Sequence, residues 1–166
     1  MAKVSLIRID SRLIHGQVAT MWIKRAEARK VLIIDDATAA DEFMTQIMTF
    51  AAPPGVEVQV LTAEQSGQMW QENEFGDNGP IMVLFRGVPE MYASYQAGFA
   101  FDKVQIGGIG GGPGKKNVAG PIALNEEDAK QLEELTKKGV EIYCQVTPEM
   151  NVTTWASIKP KHFPNV

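Results

Sequence analysis

A chain of 166 residues with 45% hydrophobic and 22% charged side chains carries enough apolar material for one globular core and little for a second domain. Its formal net charge of −4, from 16 basic and 20 acidic residues, gives no general attraction for nucleic acid or an anionic membrane, so any polyanion site must be local. The single cysteine, Cys144, has no internal disulfide partner and fits a reducing compartment. No apolar window approaches a bilayer span, and Met1-Ala2-Lys3-Val4-Ser5 leads into a strand and not a signal peptide, so a soluble, cytoplasmic chain is expected.

Aliphatic and β-branched runs alternate along the chain with stretches of helical period. This is the pattern of a single-domain α/β fold with an open, mostly parallel sheet and helices on both faces. A strand over 4–9 is followed by a helix over 16–25, a strand over 30–34 and a helix over 41–50 that stops at Pro53-Pro54-Gly55. A strand over 56–61 and a helix over 62–70 come next, and the turn Asp77-Asn78-Gly79-Pro80 introduces a strand over 80–85. A helix over 88–97, a strand over 103–106, a helix over 126–138 and a strand over 140–146 complete the series. The helix at 126–138 is the most fully signalled, with Asn125 as N-cap, Glu126, Glu127 and Asp128 in the first turn, Lys137 and Lys138 in the last, and Gly139 just beyond. The tail 159–166, with two prolines and no period, is expected to run over the surface and pack an edge. Trp22, Trp70 and Trp155 read as core or interface anchors, and Cys144 as a small buried hydrophobe.

In open parallel sheets, ligands bind beyond the carboxyl ends of the strands. The first such loop reads Arg8-Ile9-Asp10-Ser11-Arg12-Leu13-Ile14-His15-Gly16-Gln17-Val18. A neutral imidazole has one lone-pair nitrogen able to attack phosphorus, provided an acceptor holds the proton on the other; Asp10 or a backbone carbonyl could be that acceptor for His15. Phosphoryl transfer needs alignment and charge neutralisation above all, which Arg12, with Arg8 as a second grip, and the helix-start amides at Gly16 could give. A charge-assisted arginine contact is worth about 1.5–3 kcal/mol, so neither a metal nor a cofactor is required. Alone, Asp10 and Arg12 would read as a surface ion pair and His15 as a helix-lining residue. Their joint position at the end of a first strand argues for a site.

This loop strongly resembles the phosphorylation loop of the IIB component of mannose/fructose/sorbose-family bacterial sugar phosphotransferase systems. The likeness continues through Trp22, Val31-Leu32-Ile33-Ile34-Asp35-Asp36, Gly107-Gly108 and the late helix followed by Gly139-Val140-Glu141-Ile142, and so covers nearly the whole chain. The resemblance implies that His15 accepts phosphate on its δ1 nitrogen from a IIA phosphohistidine and passes it to sugar bound by a IIC–IID membrane permease, beside which the chain works in the cytoplasm. Asp10, Arg12 and Gln17 match the surrounding motif. The stretch Ile109-Gly110-Gly111-Gly112-Pro113-Gly114 is richer in glycine than the family's usual loop.

Three other signals compete. The run from Gly107 to Gly114 fits neither the dinucleotide spacing nor the P-loop, and is expected to be a loop near the site, with Lys115 and Lys116 placed to steer an anionic partner. Asp35 and Asp36 resemble the acidic pair of a receiver domain, yet the strand 81–85 has no aspartate to phosphorylate. His15-Gly16-Gln17 resembles the string of histidine phosphatases and phosphoglycerate mutases, but Ile14 replaces the arginine and only His162 could be the opposing histidine.

Overall fold

The computed structural model describes residues 4–77 and 79–166, the side chains of Gln17 and Val18 excepted. Unbroken aliphatic runs form strands buried on both faces, because helices cover the sheet above and below. In chain order the elements are β1 (Val4–Ile9), α1 (Gly16–Arg25), β2 (Lys30–Ile34), α2 (Asp36–Ala39), α3 (Glu42–Phe50), β3 (Glu57–Leu61), α4 (Ala63–Asn73), β4 (Ile81–Phe85), α5 (Val88–Ala97) and β5 (Lys103–Ile106). They continue with β6 (Lys116–Ala119), β7 (Ile122–Leu124), α6 (Glu126–Lys137), β8 (Glu141–Cys144), β9 (Thr153–Thr154) and α7 (Trp155–His162).

Among the described residues, seven strands share one sheet in the order β3-β2-β4-β1-β5-β8-β9. All neighbours in it are parallel except β8 and β9. Strand alternation divides the core into two layers. Val31, Ile33, Met82 and Leu84 face Ala19, Trp22 and Ile23 of α1 and Met48 of α3. Leu32, Ile34, Val83 and Phe85 face the other way, onto Val88 and Met91 of α5, Leu132 and Leu135 of α6, and Trp155 of α7. The expected α/β sheet with helices on both faces is therefore what the chain forms. Among the described residues no helix is long and apolar enough to cross a membrane.

The expected strands and the five expected helices all form, with ends displaced by a few residues. Asn125 and Asp128 exchange backbone and side-chain hydrogen bonds as a capping box, and Gly139 follows α6 at φ 96°. Five elements were not expected. The four-residue α2 is too short to show a period, and the β6–β7 hairpin is brief and crossed by glycines. The two-residue β9 is shorter still. The tail is not merely a surface run: α7 forms despite Pro160, because Trp155 and Ile158, with Phe163 just beyond, are buried in the core. Tertiary burial here overrides a local helix breaker. Of the turn at 77–80, Asn78 lies outside the described residues. Cys144 is buried, and burial pushes its thiol up to about 12, which matches an inert hydrophobe.

Helices α4 and α5 approach so closely that a side chain at Gly67 would run into the backbone carbonyl of Ala97, while Ser66 and Ser94 share a buried hydroxyl hydrogen bond of 2.7 Å beside it. Gly67→Ala is expected to lower unfolding free energy by about 1–3 kcal/mol in urea titration, despite alanine's better helix propensity. A stabilised variant would show that the contact yields.

Candidate functional site

At the carboxyl end of β1 the chain is stitched to the strands on either side. Ile9 lies opposite Phe85 of β4 and Ile106 of β5. The Asp10 amide donates to the Phe85 carbonyl at 2.9 Å and the Ser11 amide to the Gly108 carbonyl at 2.9 Å. Asp10 then folds the loop on itself: the Arg12 amide donates to its Oδ1 at 3.0 Å and the Leu13 amide to its carbonyl at 3.0 Å. Leu13 turns the chain in the left-handed region, at φ 57°, and is held there by burial. Gly16 opens α1 at φ 50°, a conformation that glycine takes without strain.

The His15 ring meets the expected kind of acceptor. Its Nδ1 lies 3.0 Å from the Leu13 carbonyl oxygen and 3.7 Å from Asp10 Oδ1, so the carbonyl takes the hydrogen bond and the carboxylate stands just beyond range. Nε2 is buried without a hydrogen-bond partner. His15 is also the N-cap of α1, at φ −157°, and makes no side-chain cap, so the helix start is left to other acceptors. The Arg12 side chain is exposed and has no hydrogen-bond or ion-pair partner among the described residues. The Gln17 side chain lies outside the described residues.

Arg8 corrects an expectation. It was read as a second grip on phosphate, but its side chain is 1% exposed and both terminal nitrogens are already engaged. Nη1 donates to Gln105 Oε1 and, at 2.9 Å, to the Gln145 carbonyl; Nη2 donates to the Val146 carbonyl at 3.0 Å and lies 3.5 Å from Asp10 Oδ2. The guanidinium also lies over the Trp22 ring, 5.1 Å from its centroid. Burial pulls its pKa down, and Asp10 is the main opposing influence. Arg8 therefore positions Asp10 and the loop after β8, with both terminal nitrogens committed to the protein. The sequence held a signal for this: Arg8 and Gln105 are polar residues within apolar strands, and such residues must satisfy each other.

The competing signals have structural partners of their own. Asp35 caps α2, accepting from the Thr38 amide at 3.1 Å and its hydroxyl at 2.6 Å, and Asp36 accepts from the Ala63 amide at 2.8 Å. Among the described residues no three His, Cys, Asp or Glu side chains are grouped to hold a metal. Lys115 donates to the Gly110 carbonyl at 3.3 Å, and Lys116 donates to the His162 carbonyl at 3.0 Å and lies over the Phe163 ring. His162 lines a cavity with Gly114, Glu126 and the chain's last residues, to which no residue of the His15 loop contributes. The sequence missed Arg86, which projects from the end of β4 beside the loop. A single arginine after a strand belongs to no motif.

Fold and loop together define a class: an open parallel α/β protein presenting a histidine, an arginine and a helix start at the end of a central strand. The chain belongs to the sorbose-subfamily IIB component family of the phosphotransferase system, whose model matches residues 4–163. It is therefore a phosphotransferase component, and the phosphatase or mutase alternative finds no support. It is 32% identical to the sorbose-specific EIIB component of Klebsiella pneumoniae over 90% of this chain and 93% of that one. It is 30% identical to the mannose-specific EIIAB component of Escherichia coli K12 over 84% of this chain but only 43% of that longer protein. Among solved structures, manxB from Thermoanaerobacter tengcongensis superposes with a TM-score of 0.90 at 34% identity, covering 99% of both chains.

Arg8→Met is expected to cost about 3–5 kcal/mol in urea unfolding, because it strands a buried Asp10 and leaves the carbonyls of Gln145 and Val146 short of a donor. A loss under about 1 kcal/mol would mean that the buried ion is dispensable.

Proposed function

We propose that His15 accepts a phosphoryl group from a phosphohistidine on a IIA protein and passes it to sugar bound by a IIC–IID permease, in the cytoplasm and as one IIB-type domain. The single observation that carries this reading is the meeting of a held imidazole, an unpartnered Arg12 and an uncapped helix start on one loop. The IIA partner is supported by the name of the mannose-specific EIIAB relative, whose greater length leaves room for a second module.

In the step itself, a lone pair on the His15 ring attacks phosphorus in line with the donor's nitrogen. The new N–P bond forms as the donor's N–P bond breaks, with that electron pair returning to the donor's ring. The proton on the other nitrogen of His15 stays in place. Arg12 and the helix-start amides meet the equatorial oxygens as charge shifts between the two nitrogens. Asp10 does its work through the backbone, fixing the Arg12 amide and the Leu13 turn.

Which nitrogen reacts depends on the ring's orientation. As the ring stands, a proton on Nδ1 donates to Leu13 and the lone pair is on the covered Nε2. Attack through Nδ1, which the family resemblance implies, requires the ring to release Leu13 and its proton to pass through solvent from Nδ1 to Nε2, so that the lone pair lies on Nδ1 and the proton on Nε2 when phosphorus is attacked. Long-range proton–nitrogen NMR of the unphosphorylated protein is expected to show the Nδ1–H tautomer, and the phosphorylated protein a phosphorus-coupled Nδ1. An Nε2–H tautomer at rest would reverse the assignment of donor and nucleophile.

With phosphoenolpyruvate, the general phosphotransferase proteins and a mannose-family IIA, intact-mass spectrometry should show one added phosphoryl group, labile to acid and stable to base. His15→Ala should abolish it without unfolding the protein. Arg12→Ala should slow acceptance by about 100- to 1,000-fold, the range seen when one charge-stabilising donor is removed. No transfer to the wild-type chain from a IIA active on another IIB would sink the carrier reading.

A further inference from the structure

The loop that carries His15 is held from a second direction by a residue that no motif marks. Because Phe85 of β4 lies opposite Ile9 of β1, Arg86 and Asp10 leave adjacent strand ends side by side. Arg86 divides its guanidinium among three acceptors: Nη1 donates to the Ser11 carbonyl at 3.4 Å, Nε to Asp35 Oδ2 at 3.2 Å, and Nη2 to Thr38 Oγ1 at 3.1 Å. Asp35 is already immobile, since it is buried and the same Oδ2 takes both the amide and the hydroxyl of Thr38. The planar fork of an arginine carries that fixed position across to Ser11.

Ser11 is thereby held at both ends of its backbone. Its amide is bound to Gly108 on the β5 side and its carbonyl to Arg86 on the β4 side. The next peptide presents Arg12, and the one after it the Leu13 carbonyl that meets His15. Arg86 is itself partly exposed, so its ties to the loop and to α2 do more than fill the core. Glu90 stands nearby, its carboxyl pushed up by desolvation and then by Asp35, with Arg86 pulling the other way. Arg86 is the cation paired with Asp35, its Nε 3.2 Å from Oδ2.

We infer that Arg86 is a positioning residue for phosphoryl transfer: it fixes the Ser11 carbonyl against the Asp35–Thr38 helix start and so sets where Arg12 and the Leu13 carbonyl stand relative to His15. This rests on His15 being the acceptor. Misplacing a reacting geometry by about 1 Å can cost roughly 100-fold in rate, so the effect should lie in turnover and not in partner affinity.

The test is single-turnover phosphoryl transfer from a phosphorylated IIA to wild type, Arg86→Ala, Arg86→Lys, Asp35→Asn and Arg86→Ala/Asp35→Asn, each checked by circular dichroism for folding at the assay temperature. Arg86→Ala is expected to lower the maximal rate by about 10- to 100-fold while the IIA concentration giving half-maximal rate changes less than about 2-fold. Arg86→Lys should recover part of the rate, since an ammonium can reach only some of the three acceptors. The double variant should be no slower than the slower single variant, because the two residues act as one unit. An unchanged rate in folded Arg86→Ala overturns the inference and leaves the carrier reading intact. Losses that multiply in the double variant also overturn it, since Arg86 would then act independently of Asp35. Should Arg86→Ala and Arg86→Lys both fail to fold, a wild-type rate in Asp35→Asn overturns the inference and a slowed one supports it. A wild-type chain that takes no phosphate on His15 overturns both.

Discussion

The site depends on a guanidinium placed where charge is costly. Arg8 belongs to a strand buried on both faces, and its charge is tolerable there because Asp10, Gln105 and two carbonyls of the loop after β8 surround it. The strand order makes this possible: β1, β5 and β8 are consecutive neighbours, so a single side chain reaches parts of all three. The requirement spreads outward. A side chain at Gly107 would collide with the guanidinium, so that position can carry none, and Trp22 lies against its face while donating its own ring N–H to the Val146 carbonyl at 2.8 Å. A loop that has to hold a histidine steady is thus anchored to an ion that cannot move without leaving several buried polar groups unpaired.

Above this anchor the backbone is over-determined. Leu13 in a left-handed conformation costs about 1 kcal/mol or more, and it persists because its side chain is buried and its amide is bound to Asp10. The strained turn aims the Leu13 carbonyl at His15, so the strain lies one hydrogen bond from the imidazole. Gly16 completes the turn into α1 at a positive φ that would strain any side chain. Sheet register, the Asp10 turn and these two residues each constrain the same few peptides.

Much of this was legible in the sequence because parallel strands covered on both faces write themselves as unbroken aliphatic runs, and the His15 loop sits where such sheets place ligands. What escaped did so for physical reasons. α7 contains a proline that local rules penalise, and only the burial of Trp155 and Ile158 explains it. Arg8 was misread because charge near a histidine suggests a ligand grip, whereas position within a buried strand decides where the side chain goes. Arg86 was invisible because its partners, Ser11 and Asp35 past the ends of β1 and β2 and Thr38 in α2, meet it only in the folded protein. One-dimensional motifs report residues close in the chain, and the support of this loop comes from residues far apart.

The charge count around the loop bears on what kind of phosphate chemistry the fold suits. Three arginines gather near the ends of β1 and β4, but Arg8 is paired with Asp10 and Arg86 with Asp35, which leaves Arg12 as the excess cation. On the proposed role of His15, a phosphoryl group would carry more negative charge than Arg12 cancels, and the remainder would fall to the partial charges of the α1 amides. Such a site favours the transferring group without holding it hard. Stronger binding of the phosphorylated state would deepen a well from which the next transfer must climb, since binding that is equal in ground and transition states speeds nothing. On that proposal, the carboxylates that neutralise Arg8 and Arg86 serve a carrier twice: they make the buried Arg8 and the half-buried Arg86 tolerable, and they keep the field at His15 weak enough for what is accepted to be given away.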